Sequence, residues 1–383
     1  MTDHMPDDLS ATGRDLRAYT DELRPRHGVV RNVQGEWVLL RHDLVVQAAQ
    51  DDQRFSSAVS RHLHVPNGLD GVVHSNYRTA LDRFLTPEAL APFHGAFHRM
   101  AADVVASLPR GIAVDAVGGF GSRFAVRAQS AWLGWPITLE DRLVDWVAEN
   151  HAATRLGDRA WTRQVAETFD GLIHEVLAPR RGTAHADAPD DVTTRLMQTE
   201  VNGSLLTDEE IVSVLRNWTG GDLGSIALCV GVLVHRLATQ PALQDRLRAG
   251  VSDAELDAIV DEILRIDDPF VSNRRVTTCP VTIGGVELPQ GARVKLNWTS
   301  ANRDEAVFDD PDAMDPQGNA AHNLVYGIGR HACPGRLLAT LELRIALRAL
   351  LAATTSITLA AQSPAERAVA PVGGWASVPV VLA

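Results

Sequence analysis

Cys333 lies in the loop Tyr326-Gly-Ile-Gly-Arg-His-Ala-Cys-Pro-Gly335, where glycines at 327, 329 and 335 crowd around one sulfur. Glycine lets a backbone turn tightly and approach a flat ligand closely. A helical run, Arg336–Leu350, follows at once, and Pro334 is suited to a first helical position. The sulfur is therefore expected at a helix N-terminus, where free N–H groups and the dipole favour thiolate. A thiolate held this way can be a nucleophile, a redox thiol or an axial ligand to iron. The density of glycine argues against the plainer reading, a buried cysteine in a turn. Glu262 and Arg265 form a second pair, one helical turn apart and able to meet on one face. The methionines form no ligand cluster, and no His, Asp or Glu spacing suggests a bound metal ion.

The elements that must position these residues read as mostly helical. Apolar periodicity covers about 88–108, 121–135, 140–155, 160–178, 207–239, 252–266 and 333–353. The helix at 207 opens on a capping box, Thr207-Asp-Glu-Glu210, and is long enough to cross a domain. Strand signals are few. Val29–Arg41 alternates around Gln34-Gly35 as a hairpin does. Arg275–Trp298 holds short β-branched runs, and Ser356–Leu382 reads as a hairpin with Gly373-Gly374 at its tip. Arg180–Asp191 reads as a loop between helices. Without repeats or a long linker, a mainly α single domain with small β-sheets is expected over residues 1–383.

The cysteine loop resembles the signature of the cytochrome P450 family: an aromatic, then Gly-x-Gly-x-His/Arg-x-Cys-x-Gly. It matches at Gly327, Gly329, His331, Cys333 and Gly335, with Tyr326 where phenylalanine is usual. Glu262-Ile-Leu-Arg265 resembles the family's Glu-x-x-Arg, and Asn302–Phe308 through Asp315 its meander. His74-Ser-Asn-Tyr-Arg78, ending at Phe84-Leu-Thr-Pro87, resembles its haem-side helix. The resemblance implies the cytochrome P450 fold over the whole chain and a haem-thiolate monooxygenase.

Several roles follow from that resemblance. Cys333 would be the axial thiolate of haem b (iron protoporphyrin IX), pushing electron density onto iron and favouring O–O cleavage. Haem carries two propionates, and buried carboxylates need charge-assisted donors. The family's positions map to His74, Arg78, Arg275 and His331, with Arg274 competing with Arg275 because a one-residue shift exchanges them. Tyr326, Gly327 and Gly335 would complete the cofactor contacts. The family's Glu-Arg pair usually gains a third partner, an arginine after Asp-Pro. Here Gln317-Gly318-Asn319 follows Asp315-Pro316, so the third arm is Asn319 or is missing.

The family's dioxygen helix usually reads Ala/Gly-Gly-x-Asp/Glu-Thr. This chain reads Trp218-Thr-Gly-Gly-Asp-Leu-Gly-Ser225, and counting back from Pro241 puts Ser225 at the threonine and Gly224 at the acid. Asp222, displaced by two, could share a face with Ser225. Either the two form a rearranged proton relay, with Gly220, Gly221 and Gly224 opening the helix, or Asp222 points away and the relay is missing. The second case would suit peroxide-driven oxidation or oxidative coupling, or a haem-binding protein that does not turn over. By resemblance the pocket walls come from 61–73, 146–161, 214–225, Phe270–Ser272 and Gly373–Ala376. Trp218, Phe270, Val271 and Trp375 are the candidate substrate contacts. The stretch from Phe55 to His74 is short for the family's lid, which points to an open mouth or to a large or carrier-bound substrate.

Composition bounds the remaining classes. Hydrophobic residues at 45% and charged ones at 22% fit an ordinary globular protein. A net charge of −12 argues against a general nucleic-acid partner. The longest apolar run, Ile226–Val234, falls far short of the roughly 20 residues a membrane span needs. The first residues lack a signal peptide's pattern. Three cysteines fit a reducing cytoplasm better than a disulfide framework. No flavin or nicotinamide fingerprint is present. Electrons would come from a ferredoxin and its ferredoxin reductase, docking near Cys333 where Arg83, Arg336 and Arg344 could make the face basic.

Overall fold

The computed structural model describes residues 4–5, 15–60, 62–181, 189–369 and 372–383. Its axis is the long helix Asp208–Thr239. The capping box forms in both directions: Thr207 N–H donates to Glu210 Oε2 at 2.7 Å, and Glu210 N–H donates to Thr207 Oγ1 at 3.3 Å. Asp208, Glu209 and Glu210 in the first turn suit the positive end of the dipole. Pro241 then opens the next helix, Pro241–Ala249. The long helix is apolar nearly all round, as a helix surrounded by protein must be. Helices Arg123–Leu133, Arg159–Arg181, Asp253–Ile266 and Arg336–Ala352 pack against it. By length and composition it could cross a membrane, although no apolar run in it reaches that length; 67% of its most apolar stretch is buried in the protein instead.

Two regions of sheet flank this helical core. The larger sheet orders its strands His4–Met5, Val29–Asn32, Trp37–Leu39, Arg293–Asn297, Ser272–Thr277 and Phe55–Ser56. The expected hairpin is there, with Val30 opposite Val38 and Gly35 at φ 76° in the turn. The C-terminal stretch makes two nested ladders rather than one hairpin. Ile357–Leu359 pairs with Pro379–Leu382, and Glu366–Arg367 with Trp375–Ser377. Ala113–Asp115 joins the outer ladder from far away in sequence.

The expected helices form with shifted ends. The 88–108 run is interrupted: Pro87–Leu90, a 3₁₀ turn Ala91–Phe93, then His94–Ser107. Pro92 lies within the 3₁₀ turn and lacks the N–H that a continuous α-helix would use. The last helix begins at Arg336, with Gly335 as its N-cap, so Pro334 lies outside it. Most of the expected 180–191 loop falls at 182–188, outside the described residues.

Below the long helix, Arg265 is fully buried and clasps Glu262 through two bonds of 2.8 Å. Its other N–H groups donate to the carbonyls of Asn302 at 2.7 Å and Ala313 at 3.2 Å. Asn319 donates to Glu262 Oε1 at 2.7 Å, which makes it the third arm of the network. Removing one partner of a buried pair strands the other charge. Arg265→Ala is therefore expected to cost about 3–5 kcal/mol in urea unfolding of the protein. A cost near zero would show that the meander does not depend on this pair.

Candidate active site

The cysteine loop closes on itself through backbone bonds. Cys333 N–H donates to Tyr326 O at 2.8 Å, Ala332 N–H to Gly329 O at 3.1 Å, and Gly327 N–H to Leu324 O at 2.8 Å. Gly327 and Gly329 adopt φ of 67° and 78°, which other residues resist. A Cβ on Gly329 would also sit 2.8 Å from Ala49 O. Gly335 has an ordinary φ of −80°, so the turn does not require it. A side chain there would begin 3.9 Å from Cys333 Sγ, so glycine keeps that side of the sulfur open. The sulfur is accessible at the loop surface, yet protein surrounds it from behind. Burial pushes the thiol up, and the Gly335 N–H, Arg78 and Arg336 only partly oppose this. With no metal at the sulfur the thiol is favoured, and an iron bound there would displace its proton to give the thiolate that the resemblance implies. The Tyr326 hydroxyl lies 3.3 Å from Thr340 Oγ1 on the helix after the loop.

Beside the loop, nitrogen groups converge, with Asp70 Oδ1 3.6 Å from His331 Nε2 as the nearby carboxylate. His74, on helix Gly71–Leu81, is 1% exposed, and neither ring nitrogen has a partner. Its ring centroid is 4.2 Å from that of His331, which bonds Ser57 Oγ at 3.0 Å. Arg275 is also buried and donates to Arg274 O at 2.9 Å. Among the described residues no carboxylate pairs with it. Burial, then Arg78 and Arg330, push His74 down to about 4. Burial, His74 and Arg275 do the same to His331. Burial also lowers Arg275. Asp70 opposes all three shifts but does not outweigh burial.

The strand Ser272–Thr277 decides between the two arginines. Arg275 stands opposite Val294 and points inward, while Arg274, opposite Lys295, is exposed on the other face near Glu36. Arg274 is therefore removed from the expected cofactor set. Arg78 is largely committed elsewhere. Its Nε bonds Asp82 at 2.8 Å, and its Nη1 donates to Ala332 O at 3.0 Å, bracing the cysteine loop.

On the long helix, Gly221 faces open space, and the Ser225 hydroxyl donates to the Gly221 carbonyl. Asp222 turns the other way and accepts from Gln129 Nε2 at 2.5 Å, so it makes no direct pair with Ser225. Burial pushes Asp222 up to about 7 against the pull of Gln129. Glu342, fully buried without a partner, is pushed up by burial and then by Asp222. The helix stays continuous through these glycines, so the expected opening does not occur. They form a seat instead. A Cβ on Gly220 would meet Trp146 at 3.4 Å and Phe169 at 3.6 Å, and one on Gly224 would lie 2.8 Å from His151 Nε2. His151 lies within the expected wall at 146–161, but nothing in its spacing marks it out.

Two of the four proposed substrate contacts are corrected. Trp218 packs between Phe84 and Trp132, with centroids at 5.5 and 5.1 Å. Trp375 stacks on His235 at 3.8 Å, lies under Arg367, and donates to Asp267 at 3.1 Å. Both indoles are core groups. Val271 is buried, and Phe270 is half-buried beside Val372. Residue 61 of the expected wall falls outside the described residues, and the stretch beyond it is tied to the long helix. Val65 N–H donates to Ser213 Oγ at 2.8 Å, and Asn217 Nδ2 donates to Val65 O at 2.7 Å. The short lid is a fixed wall. On the face expected to be basic, Arg336 pairs with Asp261 at 3.0 Å and Arg344 with Asp257, while exposed Arg83 donates to Ala80 O at 2.8 Å.

Known proteins share this architecture. The cytochrome P450 family profile matches residues 155–353. Cyclomarin C epoxidase of Salinispora arenicola is 31% identical over 355 residues, 88% of each chain. Erythromycin C-12 hydroxylase of Saccharopolyspora erythraea is 27% identical over 348 residues, 88% of this chain and 86% of that protein. A mutant of the P450 EryK in complex with erythromycin B superposes with a TM-score of 0.87 at 26% identity, covering 99% of this chain and 98% of that one. The chain belongs to the cytochrome P450 family and is a P450 monooxygenase.

The residues present fit the family's haem. Unanswered donors at His74 and Arg275 match a dianionic edge, and the loop leaves Cys333 Sγ uncovered for a metal. A charge-assisted bond contributes roughly 1.5–3 kcal/mol. Arg275→Ala is expected to release haem to a scavenging globin about ten to a hundred times more readily. Arg274→Ala should leave retention unchanged. Equal loss in both variants would contradict the strand-face assignment.

Proposed function

We propose that this chain, acting as one domain over residues 1–383, hydroxylates or otherwise oxidises a small organic molecule at carbon or a heteroatom. It uses dioxygen and electrons from a ferredoxin and its reductase, works in the cytoplasm and carries haem b. The observation that carries the reading is buried His74, with no hydrogen-bond partner at either ring nitrogen, and buried Arg275, with no paired carboxylate among the described residues, beside a loop that holds one exposed cysteine. When bound, haem would supply the oxygen activation, and Cys333 would hold its iron. His74, His331 and Arg275 would hold its carboxylates. Gly221 leaves room on the long helix, and Ser225 keeps a hydroxyl there, its proton directed at the Gly221 carbonyl and its oxygen free to accept a bond from water.

The relatives named for cyclomarin C and erythromycin support a substrate from specialised metabolism. The shortness of the stretch from Phe55 to His74 supports one that is large or carrier-bound. The displacement of Asp222 onto Gln129 favours a second reading, peroxide-driven oxidation or oxidative coupling, which needs less proton control.

The test is the ferric absorption spectrum titrated with a diverse small-molecule library, followed by turnover with a surrogate ferredoxin and reductase. Compounds that shift the spin state and return an oxygenated product support the monooxygenase reading. Product formed with peroxide but not with the electron donors favours the second. Ser225→Ala is expected to lower product per electron about tenfold or more. Unchanged coupling in that variant would remove Ser225 from proton handling.

A further inference from the structure

We infer that His151, carried on helix Glu140–Leu156, takes the place of the acid that the long helix lacks beside Ser225. Three observations converge on it. The residue before Ser225 is Gly224, which has no side chain to hold a proton. The volume where that side chain would begin is taken by His151, with Nε2 at 2.8 Å, Cδ2 at 3.7 Å and Cε1 at 3.8 Å. The ring thus presents a nitrogen, not a carbon edge, to the helix. Asp222, the nearest acid in sequence, is turned onto Gln129.

The geometry places the ring beside the oxygen-side face. Gly221 opens onto free space and Ser225 follows it by one turn, while Gly224 lies about 60° around the helix from Gly221. That angle puts the His151 edge on the side of the helix next to the one Gly221 leaves open. The ring reaches the Gly224 backbone, and this contact raises its pKa. Burial, the larger influence, and then Arg155 push it down to about 4, so the ring is neutral at physiological pH. A neutral imidazole carries one donor and one acceptor nitrogen. It can take a proton at one and release a proton from the other, with no net change in its charge. Because it reaches the reaction through water or Ser225, His151 is a positioning residue. The inference rests on the monooxygenase reading.

The glycine and the histidine are reciprocal. Any side chain at 224 must displace the ring, so Gly224→Ala should mimic loss of His151. The experiment uses the haem-loaded protein with a surrogate ferredoxin, its reductase and no substrate, and follows how reduced dioxygen divides between hydrogen peroxide and water. His151→Phe keeps the ring volume and removes the proton. It is expected to keep haem content and the carbon-monoxide spectrum while shifting the peroxide-to-water ratio about tenfold toward peroxide. Gly224→Ala should shift it likewise, and His151→Ala combined with Gly224→Asp should return it most of the way. In the resting protein the His151 imidazole resonance, identified by its loss in His151→Phe, should move in Gly224→Ala.

An unchanged ratio in His151→Phe, no recovery in the double variant, or an unmoved resonance would overturn the inference. If the wild type consumes no dioxygen, the monooxygenase reading fails and takes this one with it. If the wild type divides dioxygen normally but no compound ever yields product, only the substrate reading is lost.

Discussion

Buried nitrogen groups that the one nearby carboxylate, Asp70, leaves incompletely answered are the constraint on which the rest of this structure turns. His74 comes from a helix, Arg275 from an inner strand and His331 from the cysteine loop, and no stretch of sequence links them. Left alone, such a cluster lowers the stability of the fold that assembles it, because the His74 nitrogens are buried unbonded and the Arg275 charge is desolvated without a paired carboxylate. The chain nevertheless spends a sheet register, a helix orientation and a strained glycine loop on bringing them together. A ligand with two carboxylates at one edge and a metal at its centre reconciles those features, since the same loop that carries His331 leaves Cys333 uncovered.

The long helix contributes differently from what its glycines suggest. Glycine within a helix costs about 1 kcal/mol relative to alanine, so three of them within five residues require a reason. A loosened helix would be one. The structure supplies another: an unbroken helix whose missing side chains admit Trp146, Phe169 and His151 from the helices above. Only Gly221 leaves its space open. One short segment thus fixes the roof of the pocket and clears the ground beneath it, and the polar groups are sorted by direction. Ser225 stays on the open side, while Asp222 is turned inward to Gln129.

Much of this was legible in the residues themselves. The capping box at Thr207, the hairpin at Gly35 and the Glu262–Arg265 clasp depend on neighbours a few positions apart, and spacing shows them directly. The cysteine loop was legible because its glycines are dictated by backbone geometry and by a close approach to Ala49. What spacing does not carry is direction across long separations. Arg274 and Arg275 differ only by the face of a strand whose partner lies some twenty residues on. Trp218 and Trp375 read as pocket aromatics until Trp132 and His235 cover them. His151 was invisible because its meaning lies in a glycine 73 positions away.

The most direct test of the central claim compares binding of haem with binding of its dimethyl ester, in which both carboxylates are masked, to the haem-free chain. If the donor cluster is completed by those carboxylates, the ester should bind at least about a hundredfold more weakly, the equivalent of two charge-assisted bonds at the low end of their range. Equal affinity for the two would contradict the account and leave the buried nitrogens without an explanation.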